Sequence, residues 1–144
     1  MIRYNHSQTA GWPIWVTALA AIVALIVVYI IQPVWVLWLT ALVLAVMLVL
    51  FWKMRVVVDD EYVHAIYGIG LFHFKWPMAD LVAAEQVRNR AWWGWGIRWT
   101  PYGWLYNIAG LDAVQITRKN RKPFRIGTDE PQNLLDALKT VIGK

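Results

Sequence analysis

Two apolar runs decide the fold of this 144-residue chain: WPIWVTALAAIVALIVVYII at Trp12–Ile31 and VWVLWLTALVLAVMLVLFW at Val34–Trp52. Neither run contains a charged side chain, and each is close to the roughly 20 helical residues that cross a bilayer core. Only Gln32 and Pro33 separate them. One helix over both runs would be about 60 Å long, about twice the thickness of the core. The sequence therefore predicts two membrane spans joined at Gln-Pro, because proline disfavours helical geometry in the residue before it.

Charge placement predicts the orientation of this hairpin. Arg3 precedes the first span, Lys53 and Arg55 follow the second, and the connecting turn is uncharged. The positive-inside bias then puts both termini in the cytoplasm. Tryptophans at the span ends are typical of aromatic belts at headgroup level, and they are Trp12, Trp15 and Trp52 on the cytoplasmic side and Trp35 and Trp38 on the outer side. Because no Asp, Glu, Lys, Arg or His lies within either span, a proton relay or an ion path is disfavoured.

The first span also carries a row of small side chains that includes Ala18 and Ala21. Small residues let helix backbones approach closely in lipid, where packing supplies much of the driving force for association. We therefore expect a homo-oligomer with Ala18 and Ala21 at the contact. The same residues also suit packing of the two spans within one chain.

Residues 53–144 have the composition of a separate water-exposed domain, since they hold all nine carboxylates and thirteen of the fourteen Lys and Arg residues. Residues 54–58, 62–67 and 71–76 have strand patterns, and the segment 81–88 fits a strand better than a helix. A hairpin is predicted over 112–127. An amphipathic helix follows, capped at Thr128 or Asp129. The prediction is thus a membrane hairpin in residues 1–52 and an α+β domain in residues 53–144, with about seven strands in a small antiparallel sandwich or open barrel closed by the helix.

The order of two spans, a strand meander, GWGIRWTPYGWLYNIAGLDAV, a hairpin, FRIGTDEP and a closing helix resembles the bacterial PH-like domains of small membrane proteins. The blocks Gly96–Arg98 and Ile126–Asp129 carry most of this resemblance. It implies a PH-like fold at the inner membrane of a bacterium. One departure is that the first hairpin, where phosphoinositide-binding PH domains place basic residues, reads Asp59-Asp60-Glu61, so inositol phosphate binding is not implied.

The segment RNRAWWGWGIRWTPYGW at Arg88–Trp104, here called the tryptophan-rich segment, places five tryptophans and three arginines in seventeen residues. As a strand from Trp93 to Thr100 it would direct Ile97 and Trp99 into the core. Interfacial or partner contact is predicted for Arg88, Arg90, Trp92, Trp93 and Trp95. Indoles favour headgroup depth and arginines favour anionic lipid, so the inner leaflet is the expected contact. A protein contact remains open, because Trp and Arg are enriched in interface hot spots. Nucleic acid is disfavoured by the membrane anchor and the net charge of +4 (thirteen minus nine) in residues 53–144.

Other chemistry is sparse in the sequence. His64 and His73 flank the Gly68-Ile69-Gly70 turn, but no third metal ligand suggests itself, and the absence of cysteine excludes thiolate chemistry. No cofactor motif or catalytic constellation is present. We therefore expect a non-catalytic membrane protein whose domain binds a protein partner or its own copies. The alternative is a ligand- or lipid-binding protein, or a small enzyme, with a pocket where the domain meets the membrane.

Overall fold

A computed structural model describes residues 1–31 and 34–142, apart from the side chains of Pro13 and Ile14. The described residues form an α+β fold with two sheets. The elements follow one another as β1 (Ile2–Thr9), α1 (Gly11–Ile31), α2 (Val34–Phe51), β2 (Lys53–Asp59), β3 (Tyr62–Tyr67), β4 (Phe72–Pro77), β5 (Leu81–Arg88), β6 (Gly96–Thr100), β7 (Gly103–Asn107), β8 (Asp112–Arg118), β9 (Arg121–Gly127) and α3 (Pro131–Ile142). The predicted turn at Gln32 and Pro33 lies outside the described residues.

The helices α1 and α2 coincide closely with the two predicted spans, and they contact each other. The two helices run antiparallel. Ala21 of α1 lines the same cavity as Leu44, and Tyr29, farther along α1, lines a second cavity with Leu37, which comes earlier in α2. Within the described part of the chain one helix, Val34–Phe51, is long and apolar enough to cross a bilayer, with a mean hydropathy of 2.8. The corresponding apolar segment of α1, residues 15–31, is shorter. Length and composition thus give weak support for membrane association.

The first sheet is antiparallel in the order β1-β2-β3-β4. Strands β2 to β4 match the predicted strands within a residue or two, but β1 was not predicted and adds residues before the helices to the domain. Thr9 pairs with Lys53, and Ala10 N–H donates to the Trp52 carbonyl at 2.8 Å, so this end of the sheet adjoins both helices. We call it the helix-proximal end of the sheet. The acidic turn after Asp59 lies at the opposite, distal end.

The second sheet has the order β5-β8-β9-β7-β6. The pair β7 and β9 is parallel, and the other pairs are antiparallel. The expectation of an antiparallel architecture with about seven strands is therefore corrected to nine strands in the described residues, in one antiparallel and one mixed sheet that do not form a closed barrel. The parallel pair arises because β8 lies on the outer side of β9, which places β9 directly beside β7.

The core lies between the two sheets and α3. Trp76 is 8% exposed and stacks on Phe124 at a centroid distance of 4.2 Å. The closing helix is confirmed: α3 packs against β5, β8 and β1, and buries Leu134, Leu135 and Leu138. Thr128 Oγ1 accepts a hydrogen bond from the Glu130 N–H at 3.1 Å, just before the first turn of this helix.

Candidate functional site

The tryptophan-rich segment does not begin as a strand. Residues Ala91–Trp93 form a 3-10 turn, and β6 starts only at Gly96. Gly94 and Gly96 have φ angles of 69° and 96°, which glycine adopts at little cost. The predicted strand from Trp93 is therefore wrong for its first three residues, because two left-handed glycines bend the chain where a strand would require extended backbone.

The side chains expected at an interface divide into an exposed and a packed group. Arg88 and Arg90 are exposed, and Trp92 is 76% exposed with the Arg90 guanidinium 5.1 Å from its ring centroid. Trp93 and Trp95 are half-buried. The arrangement leaves Trp92 as the most accessible indole of this group.

Trp95 connects the domain with the first helix. Its ring lies edge-on to Trp12, with centroids 5.2 Å apart. The indole nitrogen of Trp95 is buried and has no hydrogen-bond partner among the residues that the structure describes. A buried donor without a partner costs free energy, so the packing around Trp95 must offset that cost.

Trp93 is held by a buried arginine that the sequence analysis did not single out. Arg125 is 6% exposed, and its guanidinium lies 5.3 Å from the Trp93 ring and 4.4 Å from the Tyr102 ring. Its nitrogens donate to Gln115 Oε1 at 2.9 Å and to Asn89 Oδ1 at 3.2 Å. Burial lowers the pKa of Arg125. These four side chains surround one buried cation.

Trp99 does not occupy the core, contrary to expectation. It is 55% exposed on the edge strand β6, where it lies edge-on to Trp104 at 5.3 Å. The Lys122 ammonium lies 4.9 Å from the Trp99 ring. Ile97 is partly buried and packs against the core, as predicted. The face of an edge strand can extend beyond the layer that covers its neighbours, and Trp99 stands outside that layer.

A cavity of about 690 Å³ lies between the helix pair and the tryptophan-rich segment, and we call it the junction cavity. Its helix wall consists of Thr17, Ala21, Leu44, Met47, Leu48 and Phe51. The opposite wall includes Trp92, Gly94, Trp95, Gly96, Ile97 and Arg98. Arg98 is the one charged side chain among its described lining residues, and its Nε donates to the Trp95 carbonyl at 2.8 Å. The cavity is therefore mainly apolar, with one cationic group.

The tryptophans predicted to form belts lie at the ends of the helix pair. Four of them are strongly exposed: Trp12, Trp15, Trp35 and Trp38 are 64%, 76%, 67% and 71% exposed. Trp52, just after α2, is 48% exposed. Because the helices are antiparallel, the indoles that open α1 and follow α2 share one end, and those that open α2 occupy the other.

Ala18 and Ala21 are both half-buried, on the same face of α1 as Leu25. Ala21 and Leu25 line spaces between α1 and α2. This face therefore serves packing within the chain. A contact between copies at Ala18 and Ala21 stays a prediction.

His64 and His73 are neighbours on the exposed face of the first sheet. His64 Nδ1 lies 2.9 Å from His73 Nε2, and His64 Nε2 lies 3.1 Å from Asp59 Oδ2. No group of three or more His, Asp or Glu residues in the described ranges is arranged to hold a metal ion. This hydrogen-bonded chain stabilises the face of the hairpin.

The acidic turn is tied to the start of the chain. Asp60 accepts from the N-terminal amine at 2.6 Å and from Arg3 Nε at 2.7 Å. These two partners lower the pKa of Asp60 to about 2. These contacts thus hold the start of β1 at the distal end of the sheet.

Comparison with known proteins gave no match to a protein-family model, to a curated protein or to a solved structure. The resemblance to PH-like domains stays a prediction.

Proposed function

We propose that this chain is a non-catalytic, membrane-anchored protein that binds a lipid-like amphiphile in the junction cavity. The observation that carries the proposal is the cavity itself, with apolar helix side chains on one wall and indoles and one arginine on the other. Its volume of about 690 Å³ falls within the roughly 300–1,000 Å³ of typical ligand pockets. An apolar chain of the ligand would lie against the helices.

The position of the cavity along the helices favours a ligand that comes from the bilayer. Ala21 is about 15 Å along α1 from Gly11, and Leu44 is about 10 Å along α2 from Phe51, at about 1.5 Å per residue. The hydrocarbon core is roughly 30 Å thick. If both helices span it, the cavity extends from headgroup depth well into one leaflet, and an acyl chain can enter without crossing water.

Arg98 favours an anionic or strongly polar headgroup. Its guanidinium N–H groups can form charge-assisted hydrogen bonds with a phosphate or carboxylate. The proposed orientation places this site in the cytoplasmic leaflet of a bacterial inner membrane, with both termini cytoplasmic, because the cations flank the helix pair at its domain end. The tryptophan-rich segment then meets the anionic inner leaflet through Arg88, Arg90 and Trp92.

The test is binding of a fluorescent fatty acid, cis-parinaric acid, to the full chain in detergent, read by energy transfer from tryptophan. Ala21→Phe fills the cavity from α1, and Ala24→Phe adds the same ring to an exposed position of the same helix. We expect at least a tenfold loss of affinity with Ala21→Phe and no loss with Ala24→Phe. Equal affinity of the two folded variants, judged by circular dichroism, would exclude the cavity as the site.

A second candidate function is self-assembly, in which the domain acts as a scaffold that binds further copies of the chain. The supporting observation is an exposed aromatic surface formed by Trp99, Tyr102 and Trp104, which are 55%, 48% and 42% exposed, with Lys122 beside them. Aromatic residues in such clusters are enriched at interface cores. We expect an oligomer in mild detergent by intact-mass measurement, reduced to one chain by combined Trp99→Ala and Trp104→Ala. A wild-type chain that is monomeric at every concentration would contradict this role.

A further inference from the structure

The β3–β4 turn, residues 68–71, lies at the helix-proximal end of the sheet, beside the last turn of α2. Tyr67 pairs with Met54, one residue after the start of β2, so the turn extends past the end of the sheet towards the helix. Gly68 N–H donates to the Lys53 carbonyl at 2.7 Å. A side chain at Gly68 would meet the carbonyl oxygens of Val49 and Leu50 at 2.5 and 2.6 Å. The turn backbone therefore packs directly on the helix end.

The turn presents apolar side chains to its surroundings. Ile69 is 76% exposed and Leu71 is 68% exposed. Two hairpin turns at the distal side are polar instead: Asp59-Asp60-Glu61 joins β2 to β3, and Lys119-Asn120 joins β8 to β9. Turns that face water ordinarily use polar residues, glycine and proline. The apolar tip occurs at the turn that adjoins α2.

We propose that Ile69 and Leu71 insert into the cytoplasmic leaflet beside α2 and form a third attachment of the domain to the bilayer. The occupant of this surface is lipid, because the turn is continuous with the end of an apolar helix whose own side chains are exposed around it. Val49 lies about 3 Å inside the end of α2 at about 1.5 Å per residue. Ile69 and Leu71 consequently lie at the boundary of headgroups and acyl chains. This inference rests on the proposed membrane location but not on the junction cavity.

The chain contains no cysteine, so Ile69→Cys provides a single site for an environment-sensitive nitrobenzoxadiazole probe. The labelled full chain is reconstituted in vesicles of phosphatidylcholine and phosphatidylglycerol. Leu42→Cys, in an exposed position of α2, is the control for lipid contact, and Asn120→Cys, at the distal turn, is the control for water contact. Fluorescence is quenched in turn by lipids spin-labelled near the headgroup, or deep in the acyl chain for position 42 at the middle of α2, and by iodide in water.

We expect the probe at position 69 to be quenched at least twofold more by the spin-labelled lipids than the probe at position 120, and to be shielded from iodide. Quenching of position 69 by iodide alone, with position 42 quenched by lipid, would overturn the inference and leave the proposed function intact. Protection of position 69 from both quenchers would overturn it in favour of a protein contact. Failure of lipid to quench position 42 would overturn both the inference and the membrane location.

Discussion

Trp76 and Trp99 provide a matched pair, because the same truncation to alanine removes a buried indole from one position and an exposed indole from the other. Trp76 is 8% exposed and contacts Phe124 and Tyr106 at centroid distances of 4.2 and 4.9 Å. Trp99 is 55% exposed, with Trp104 as its ring neighbour. The sequence analysis expected Trp99 to be the core residue, so the pair also tests that correction.

The magnitudes follow from buried area. An aromatic side chain buries about 150–250 Å², which at about 25 cal/mol per Å² corresponds to about 4–6 kcal/mol for nearly complete burial. Truncation of buried Phe or Trp costs about 3–5 kcal/mol, and we expect this loss for Trp76→Ala. Trp99→Ala loses less than half of the area and one edge-on pair and leaves no closed cavity, so about 1–2 kcal/mol is expected.

The assay is guanidinium unfolding of the full chain in detergent, followed by the circular dichroism of the sheets. Where Trp76→Ala does not fold, Trp76→Phe gives a smaller loss at the same buried site and still exceeds the loss of Trp99→Phe. An equal or larger loss at Trp99 would refute the placement of the core, because it would require Trp99 to be the buried indole.

Three further predictions concern the domain. The N-terminal amine and Arg3 lower the pKa of Asp60 to about 2, so its contribution to the free energy of unfolding is complete above its ordinary pKa of about 4 and is lost as pH falls through about 2. The protection of β1 amides from hydrogen exchange, taken relative to the intrinsic rate at each pH, should therefore fall between pH 5 and pH 2, and Asp60→Asn should remove that dependence. Gly68→Ala should lower the free energy of unfolding by about 1–3 kcal/mol, because the φ of Gly68 is 53° and the added Cβ would meet carbonyl oxygens of α2. The control Gly11→Ala, with open space around it, should be close to neutral in thermal unfolding. Arg125→Lys should lower the free energy of unfolding by about 1–3 kcal/mol, because a lysine ammonium cannot reproduce both side-chain hydrogen bonds and the ring contacts. Acrylamide should then quench tryptophan fluorescence more strongly. Unchanged unfolding and quenching would contradict the role of Arg125.

Elements with a strong local pattern were predictable from the sequence. The helices α1 and α2 follow from uninterrupted apolar runs, and the strand predicted over 71–76 follows from an alternation that puts Phe72, Phe74 and Trp76 on one face, the more buried face of β4. The apolar stripe of α3 predicted its buried residues for the same reason. In these segments the pattern is complete within one element and requires no knowledge of the neighbouring elements.

The errors arose where distant segments decide the structure. Strand β1 is mostly polar, and its partner β2 begins more than forty residues later, beyond both helices. The alternation in β6 grouped Ile97 with Trp99, but only the sheet order shows that β6 is an edge strand whose face is incompletely covered. Arg125 lies within the predicted hairpin over 112–127, but the sequence gives no sign that Gln115 and Asn89 converge on it.

The two walls of the junction cavity lead into different sheets of the domain, and a bound ligand would therefore affect the stability of both sheets. The helix wall continues into the first sheet, since β1 leads into α1, α2 leads into β2, and Thr9 pairs with Lys53. The indole wall continues into the second sheet through β6. The two sheets are linked across the core by the Tyr67 hydroxyl, which donates to the Asn107 carbonyl at 3.4 Å and whose pKa burial raises. A ligand bound in the cavity as proposed would contact elements that continue into both sheets, so its binding would stabilise the folded chain, and saturation of the site should slow hydrogen exchange in β6 and in the first residues of β2 together.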